Sequence, residues 1–308
     1  MATATLPSKP TVPTAPAVQA PVAVQPNTAT VIPAAYRQLG ATIGYNPPPV
    51  KAIRVLLVSR EGCGKTTFLN SIPRTLVLDF EHSAEYVRHP ISGRLHVESY
   101  EHLQSVYQLL QTDAKANNRA FDRVCFDSVD EMVEMYSVSL SQEKDVECIE
   151  EFGQKGAGHS LLRRRVLHDI EALYYAGYSW LVAGQLREKQ ISVRGKDLTV
   201  WRESMPPGLA AALRYKCDFF MTVNTLRQDT PIFKDQIIGG QKVRIQQGTE
   251  TKVSFQLTTL SSEEINGKRR VVVDGLDIPE RSGWQVFADA YTKATQALAK
   301  EVTIANQT

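Results

Sequence analysis

One junction restricts the fold more than any other segment. A short apolar run at residues 53–58 stops at Ser59-Arg-Glu-Gly-Cys-Gly-Lys65-Thr66-Thr67, and a helical pattern follows. Strand, glycine-rich turn and helix in that order form the setting in which backbone N–H groups converge on a phosphate. The first N–H groups of a helix lack intrahelical partners, and the helix dipole favours negative charge there. Gly62 and Gly64 let the main chain approach an anion closely. Lys65 brings an ammonium group to the β- and γ-phosphates, and the Thr66 hydroxyl suits Mg²⁺. The loop residues Ser59, Arg60, Glu61, Gly62, Cys63, Gly64, Lys65, Thr66 and Thr67 are therefore expected to hold a nucleoside triphosphate, ATP with Mg²⁺. Ser59 stands where the pattern has glycine, and is expected to reach the same turn at some strain. Cys63, near a helix N-terminus, offers a thiol for redox chemistry, but it reads as a position open to any small residue.

Further apolar runs lie at 75–79, 123–126, 179–184 and 218–223. Runs apolar on both faces suit buried strands of a parallel sheet. Helical patterns separate them. Leu103, Val106 and Leu110 share one helix face, and Leu162, Val166, Ile170 and Leu173 share another, with Gly177 as C-cap. Ser128 and Glu131 have capping-box spacing. The expected fold is α/β, with a mostly parallel central sheet flanked by helices. After Asn224 the pattern changes to antiparallel strands at 252–260 and 268–274, joined by an Asn266-Gly267 turn, and then a terminal helix at 284–300. Three regions are predicted: a disordered Pro/Ala-rich tail at 1–33, an ATPase core at 50–225, and a β extension with a helix packed on that core at 226–308.

Composition narrows the function classes. A net charge of +2 over 308 residues means that any nucleic-acid surface is local. The four cysteines form no C-x-x-C pair, which fits a reducing cytoplasm. No apolar run approaches the ~20 residues that span a bilayer. The N-terminus lacks the apolar stretch of a secretory signal and the Arg and Ser of an organellar presequence.

Ligands of open α/β sheets bind at the carboxyl ends of the strands, so polar residues there are informative. Asp127 ends the run Arg-Val-Cys-Phe-Asp and reads as a carboxylate that organises Mg²⁺, with a helix cap as its competing role. Glu81, in Leu78-Asp-Phe-Glu-His, is the expected general base for an attacking water, against a plain surface role. Asp79 reads as a supporting partner or cap. Gln185 closes the fourth strand. It can bond the γ-phosphate and report its loss to the loop beyond, or simply end the strand. Glu81, Lys65 and Gln185 form the expected catalytic set.

Together these segments resemble the RecA recombinase family. The loop Glu61-x-x-Gly64-Lys65-Thr66-Thr67, the segment Asp79-x-Glu81-His82-x-Ala84, the strand end Asp127-Ser128-Val129 and Gln185-x-Arg187-x-Lys189 occur in that family's order. Asp127-Ser-Val-Asp-Glu131 and Phe152-Gly-Gln-Lys-Gly156 are similar to small RecA-like ATPases of bacteriophages, some of which are single-strand annealing recombinases. The resemblance spans about residues 53–224. It implies ATP hydrolysis, action on single-stranded DNA and a homo-oligomer, ring or filament, in the cytoplasm, the host's if the chain is phage-encoded. On this reading Arg187, Lys189, Arg194, Lys196, Trp201 and Arg202 would meet DNA, by charge neutralisation and base stacking. A solvated β-hairpin explains the same residues without DNA. Arg163, Arg164 and Arg165 form a second basic cluster, open to DNA or, in the preferred reading, a solvated helix face. The family's trans-acting lysines have no recognisable counterpart here. A small-molecule kinase and a non-hydrolysing nucleotide switch or replication accessory protein remain alternatives.

Overall fold

In the computed structural model the chain from Pro47 onward forms one compact unit. The structure describes residues 47–305 apart from 88–89, 194–195, 239–240, 260–274 and 280–281. The predicted tail at 1–33, Arg194, and the expected strand at 268–274 with its Asn266-Gly267 turn lie outside the described residues.

Nine strands form one sheet among the described residues: β1 Val55–Ser59, β2 Thr75–Asp79, β3 Gly93–His96, β4 Arg123–Asp127, β5 Ser179–Val193, β6 Lys196–Glu203, β7 Phe219–Ile238, β8 Gln241–Thr259 and β9 Leu276–Ile278. Their order is β3-β2-β4-β5-β1-β7-β8-β9, with β6 paired to the outer part of β5. From β3 to β7 all neighbours are parallel. β8 and β9 add antiparallel strands at one edge. This is an α/β P-loop fold.

The six α-helices of the described residues are α1 Lys65–Asn70, α2 Tyr100–Lys115, α3 Val129–Lys144, α4 Ala157–Tyr175, α5 Pro207–Lys216 and α6 Gly283–Ala305. None is long and apolar enough to cross a membrane. Every residue of β1, β2 and β4 is buried, because both sheet faces are covered. Successive side chains point to opposite faces. Leu56, Val58, Val124, Phe126 and Val182 thus pack with α2, α3, α4 and α5. Val55, Leu57, Cys125, Leu181 and Phe219 pack with α1 and α6.

Local signals explain the helix ends. The Ser99 side chain accepts the His102 N–H and caps α2. At the end of α4, Gly177 has φ +92° and its N–H bonds Tyr174 O, while Tyr178 N–H bonds Leu173 O. That is a Schellman closure, which a glycine favours. The capping box at Ser128 and Glu131 does not form. Ser128 makes no cap bond; its hydroxyl is bonded to the Glu81 carboxylate instead.

Two further differences share one cause: a strand's length depends on its pairing partner. β5 runs on through Gln185 to Val193 because β6 pairs with it from Leu186 onward, consistent with the hairpin reading of that stretch. β7 extends to Ile238 because β8 begins at Gln241 and returns along it, so the antiparallel region starts before residue 252. β3 and α5 have no clear sequence signal. The terminal helix runs longer than expected, over Gly283–Ala305.

Candidate active site

The phosphate loop leaves β1 at Ser59 and enters α1 at Lys65. Left-handed backbone in the loop falls on Gly62 (φ +71°) and Gly64 (φ +88°), where a side chain would be strained. A Cβ on Gly64 would also lie 2.7 Å from the ring of Phe255 on β8. Ser59 needs no such strain, correcting the sequence expectation. It is the last residue of β1, fully buried and in parallel register with Gln185. The glycine of the usual pattern is therefore dispensable here, since position 59 keeps extended backbone. Lys65 is buried, and its Nζ donates to the carbonyls of Ser59 and Arg60 at 3.3 Å each. The ammonium thus sits across the loop. Arg60 and Glu61 are exposed, and Cys63 and Thr67 half-buried.

Three strand ends converge beside this loop. β2 and β4 pair with Asp79 opposite Asp127, and β1 pairs with β5 at Ser59 and Gln185. Asp127 is 2 % exposed and its Oδ2 is buried without a hydrogen-bond partner. Burial raises its carboxyl to about 6, against a hydrogen bond from Thr66 that lowers it; the Glu81 and Asp79 charges add to the rise and Lys65 opposes it. The Thr66 hydroxyl also contacts the Ser83 hydroxyl at 3.2 Å. A buried orphan carboxylate oxygen beside a threonine hydroxyl and an ammonium fits a divalent cation held jointly with phosphate oxygens. Among the described residues no group of three or more His, Cys, Asp or Glu side chains would hold a metal alone.

Glu81 stands above this group. One of its carboxylate oxygens accepts from Ser128 Oγ and from Gln185 Nε2, the latter at 3.2 Å. Glu81 and Gln185 are 104 residues apart in sequence, and the sheet brings them into contact. Asp79 shapes the turn that carries Glu81: its Oδ1 accepts the N–H of Glu81 at 3.1 Å and of Ser83 at 3.2 Å.

Sequence reasoning quoted Asp130 within Asp127-Ser-Val-Asp-Glu131 but gave it no role. In the first turn of α3, its Oδ2 accepts the Gln185 N–H at 2.8 Å, and its Oδ1 accepts from Ser204 Oγ. Ser204 N–H donates to Gln185 O at 2.9 Å. Asp130 thereby clamps the root of the β5–β6 hairpin. An acid in a helix's first turn was the available signal, but that pattern ordinarily reads as a dipole effect. Ser204 and Phe255 carried no signal.

Of the hairpin residues, Arg187, Lys189 and Arg202 are exposed. Lys196 opens β6, opposite Val193. Trp201 is half-buried, and its indole lies under the Arg60 guanidinium, 3.8 Å from ring centroid to Cζ. Arg165 of the arginine cluster pairs with Glu143 at 2.5 Å. A groove beside β3 and α3 is lined by His82, His96, Glu98, Glu101, Glu131 and Glu134, among others.

A family model described as an AAA domain matches residues 51–271. No curated protein matches the chain.

Proposed function

Because the chain belongs to the AAA domain family of P-loop nucleotide-binding proteins, we propose that it is a Mg²⁺-dependent, RecA-like ATPase acting on single-stranded DNA, as in phage-type recombination or strand annealing, and working as a ring or filament in the cytoplasm. The observation that carries this reading is the meeting of Glu81, Ser128 and Gln185 over the phosphate loop.

On this reading the amides of 62–66 and the Lys65 ammonium bind the β- and γ-phosphates, and Thr66 and Asp127 hold the cation. A bound Mg²⁺ would neutralise charge on the phosphate oxygens. Glu81 orients the attacking water and takes up its proton. The water oxygen bonds the γ-phosphorus as the bond to the β,γ-bridging oxygen breaks, leaving ADP and phosphate. Ser128 and Gln185 keep the Glu81 carboxylate aimed, and Gln185 is placed to register whether the γ-phosphate is there. Because Gln185 begins the hairpin bearing Arg187, Lys189 and Arg202, the phosphate state reaches a basic surface suited to a single strand. The neighbouring groove does not favour phosphoryl transfer to a metabolite. Its glutamates would repel an anionic acceptor.

The test is steady-state ATPase activity with and without oligo(dT), on wild type and Glu81→Gln. Stimulation by oligo(dT) is expected in the wild type. The variant should bind ATP in calorimetry but turn over about 10²–10⁴-fold more slowly. Unchanged turnover in Glu81→Gln would move the base elsewhere. Neither stimulation nor DNA binding at low salt would reject the DNA role.

A further inference from the structure

Arg60 and Trp201 belong to different parts of the machine. Arg60 follows the last residue of β1, and its own carbonyl accepts a bond from Lys65. Trp201 is on β6, cross-strand from Glu188 on β5. Ser59 pairs with Gln185, so the residue after Ser59 comes up beside the base of the hairpin. The Arg60 side chain closes that gap by stacking on the indole at 3.8 Å. Trp201 is the sole aromatic residue between Gln185 and Glu203. In this arrangement the phosphate loop uses the ring that would otherwise be the hairpin's stacking surface.

We propose that Arg60 and Trp201 form a nucleotide-sensitive latch: a triphosphate in the loop draws Arg60 off the indole, and the freed Trp201 stacks on an unpaired base of single-stranded DNA. The proposal rests on the nucleotide and DNA reading above and adds the route between the two ligands. The guanidinium has two competing partners. A ring quadrupole holds a partly exposed cation weakly, whereas a phosphate oxygen offers charge-assisted, bidentate hydrogen bonds. The polyanion therefore wins the competition, and its preference for the open latch shifts the equilibrium. Linkage makes the effect mutual. A strand that occupies Trp201 releases Arg60 toward the γ-phosphate, so each ligand tightens the other. The coupling cannot exceed what the stack itself contributes, about two- to thirtyfold in affinity.

Trp180 and Trp284 are 0 % and 2 % exposed, so acrylamide quenching of the native protein's fluorescence reads mainly Trp201. Mg·ATP should increase quenching in wild type and leave Trp201→Phe unchanged. Mg·ATP should also tighten oligo(dT) binding about two- to thirtyfold in wild type. In Arg60→Ala, an exposed position, Trp201 should be open to quencher without nucleotide, and ATP should tighten oligo(dT) binding less than about twofold. Wild type that binds Mg·ATP in calorimetry with no change in Trp201 quenching overturns the latch. So does Arg60→Ala with the full ATP effect on DNA. ATP-driven quenching with no oligo(dT) binding at low salt overturns the stacking half alone. Absence of heat with Mg·ATP would instead overturn the nucleotide site, and the latch with it.

Discussion

Asp127 holds a carboxylate where water scarcely reaches, with one oxygen unpartnered. Its pKa is raised to about 6, chiefly by burial. The sign follows directly. Between its ordinary value and about pH 6 the folded state binds more protons than the unfolded state, so this group lowers stability as pH rises through that window. Above pH 6 its ionised form costs folding about 3 kcal/mol without a cation. Asp127→Asn removes that cost. The variant should therefore melt higher than wild type at pH 8 in chelator, and the gap should fall to about half at pH 5. It should also gain little from Mg·ATP, whereas wild type gains more at pH 8 than at pH 5. Superimposable melts of the two proteins at pH 8 would show that the carboxylate is compensated in some other way.

At the scale of elements, the hairpin of β5 and β6 is an extension of the sheet, and Gln185 lies at its base. Asp130 is the tie, joining the start of α3 to the Gln185 N–H and to Ser204. Asp130→Ala leaves a donor without its partner and should cost about 1–3 kcal/mol. ATP affinity should stay within about threefold, because the phosphate loop keeps its own bonds. The stimulation of ATPase by oligo(dT) should fall much further. Equal loss of both, measured by calorimetry and steady-state kinetics, would mean that Asp130 serves the loop rather than the hairpin.

Across the whole molecule, the chain from Pro47 onward closes on itself through its last helix. Trp284 N–H donates to Ser71 Oγ at 3.1 Å, Tyr291 Oη donates to Pro48 O at 2.7 Å, and Phe287 meets Phe219 edge-on at 5.4 Å. Phe68 of α1 meets Trp284 at 6.1 Å. The helix that begins with Lys65 therefore rests on residues more than 200 positions away in sequence. Trp284→Ala should destabilise by about 3–5 kcal/mol and weaken ATP binding through α1. A chemical denaturation midpoint unchanged by this variant would show that α6 is not part of the cooperative unit.

The strand cores and the phosphate loop were legible in sequence because neighbouring residues set them. A doubly apolar run makes a buried strand whatever its partners, and glycine at 62 and 64 permits a turn that other residues resist. Sequence alone also brought Asp127 to a strand end, Glu81 two residues past the run that stops at Asp79, and Gln185 to the close of an apolar run. It could not say which of them touch. Ser128 was read as a cap because its spacing to Glu131 is local, yet its hydroxyl went to Glu81, 47 positions away. The reach of β5 and β7, the clamp at Asp130, Phe255 over Gly64 and Arg60 on Trp201 all depend on which strands lie side by side. That choice is made by burial of the two faces of one sheet, a property of the assembled chain that no short window of residues contains.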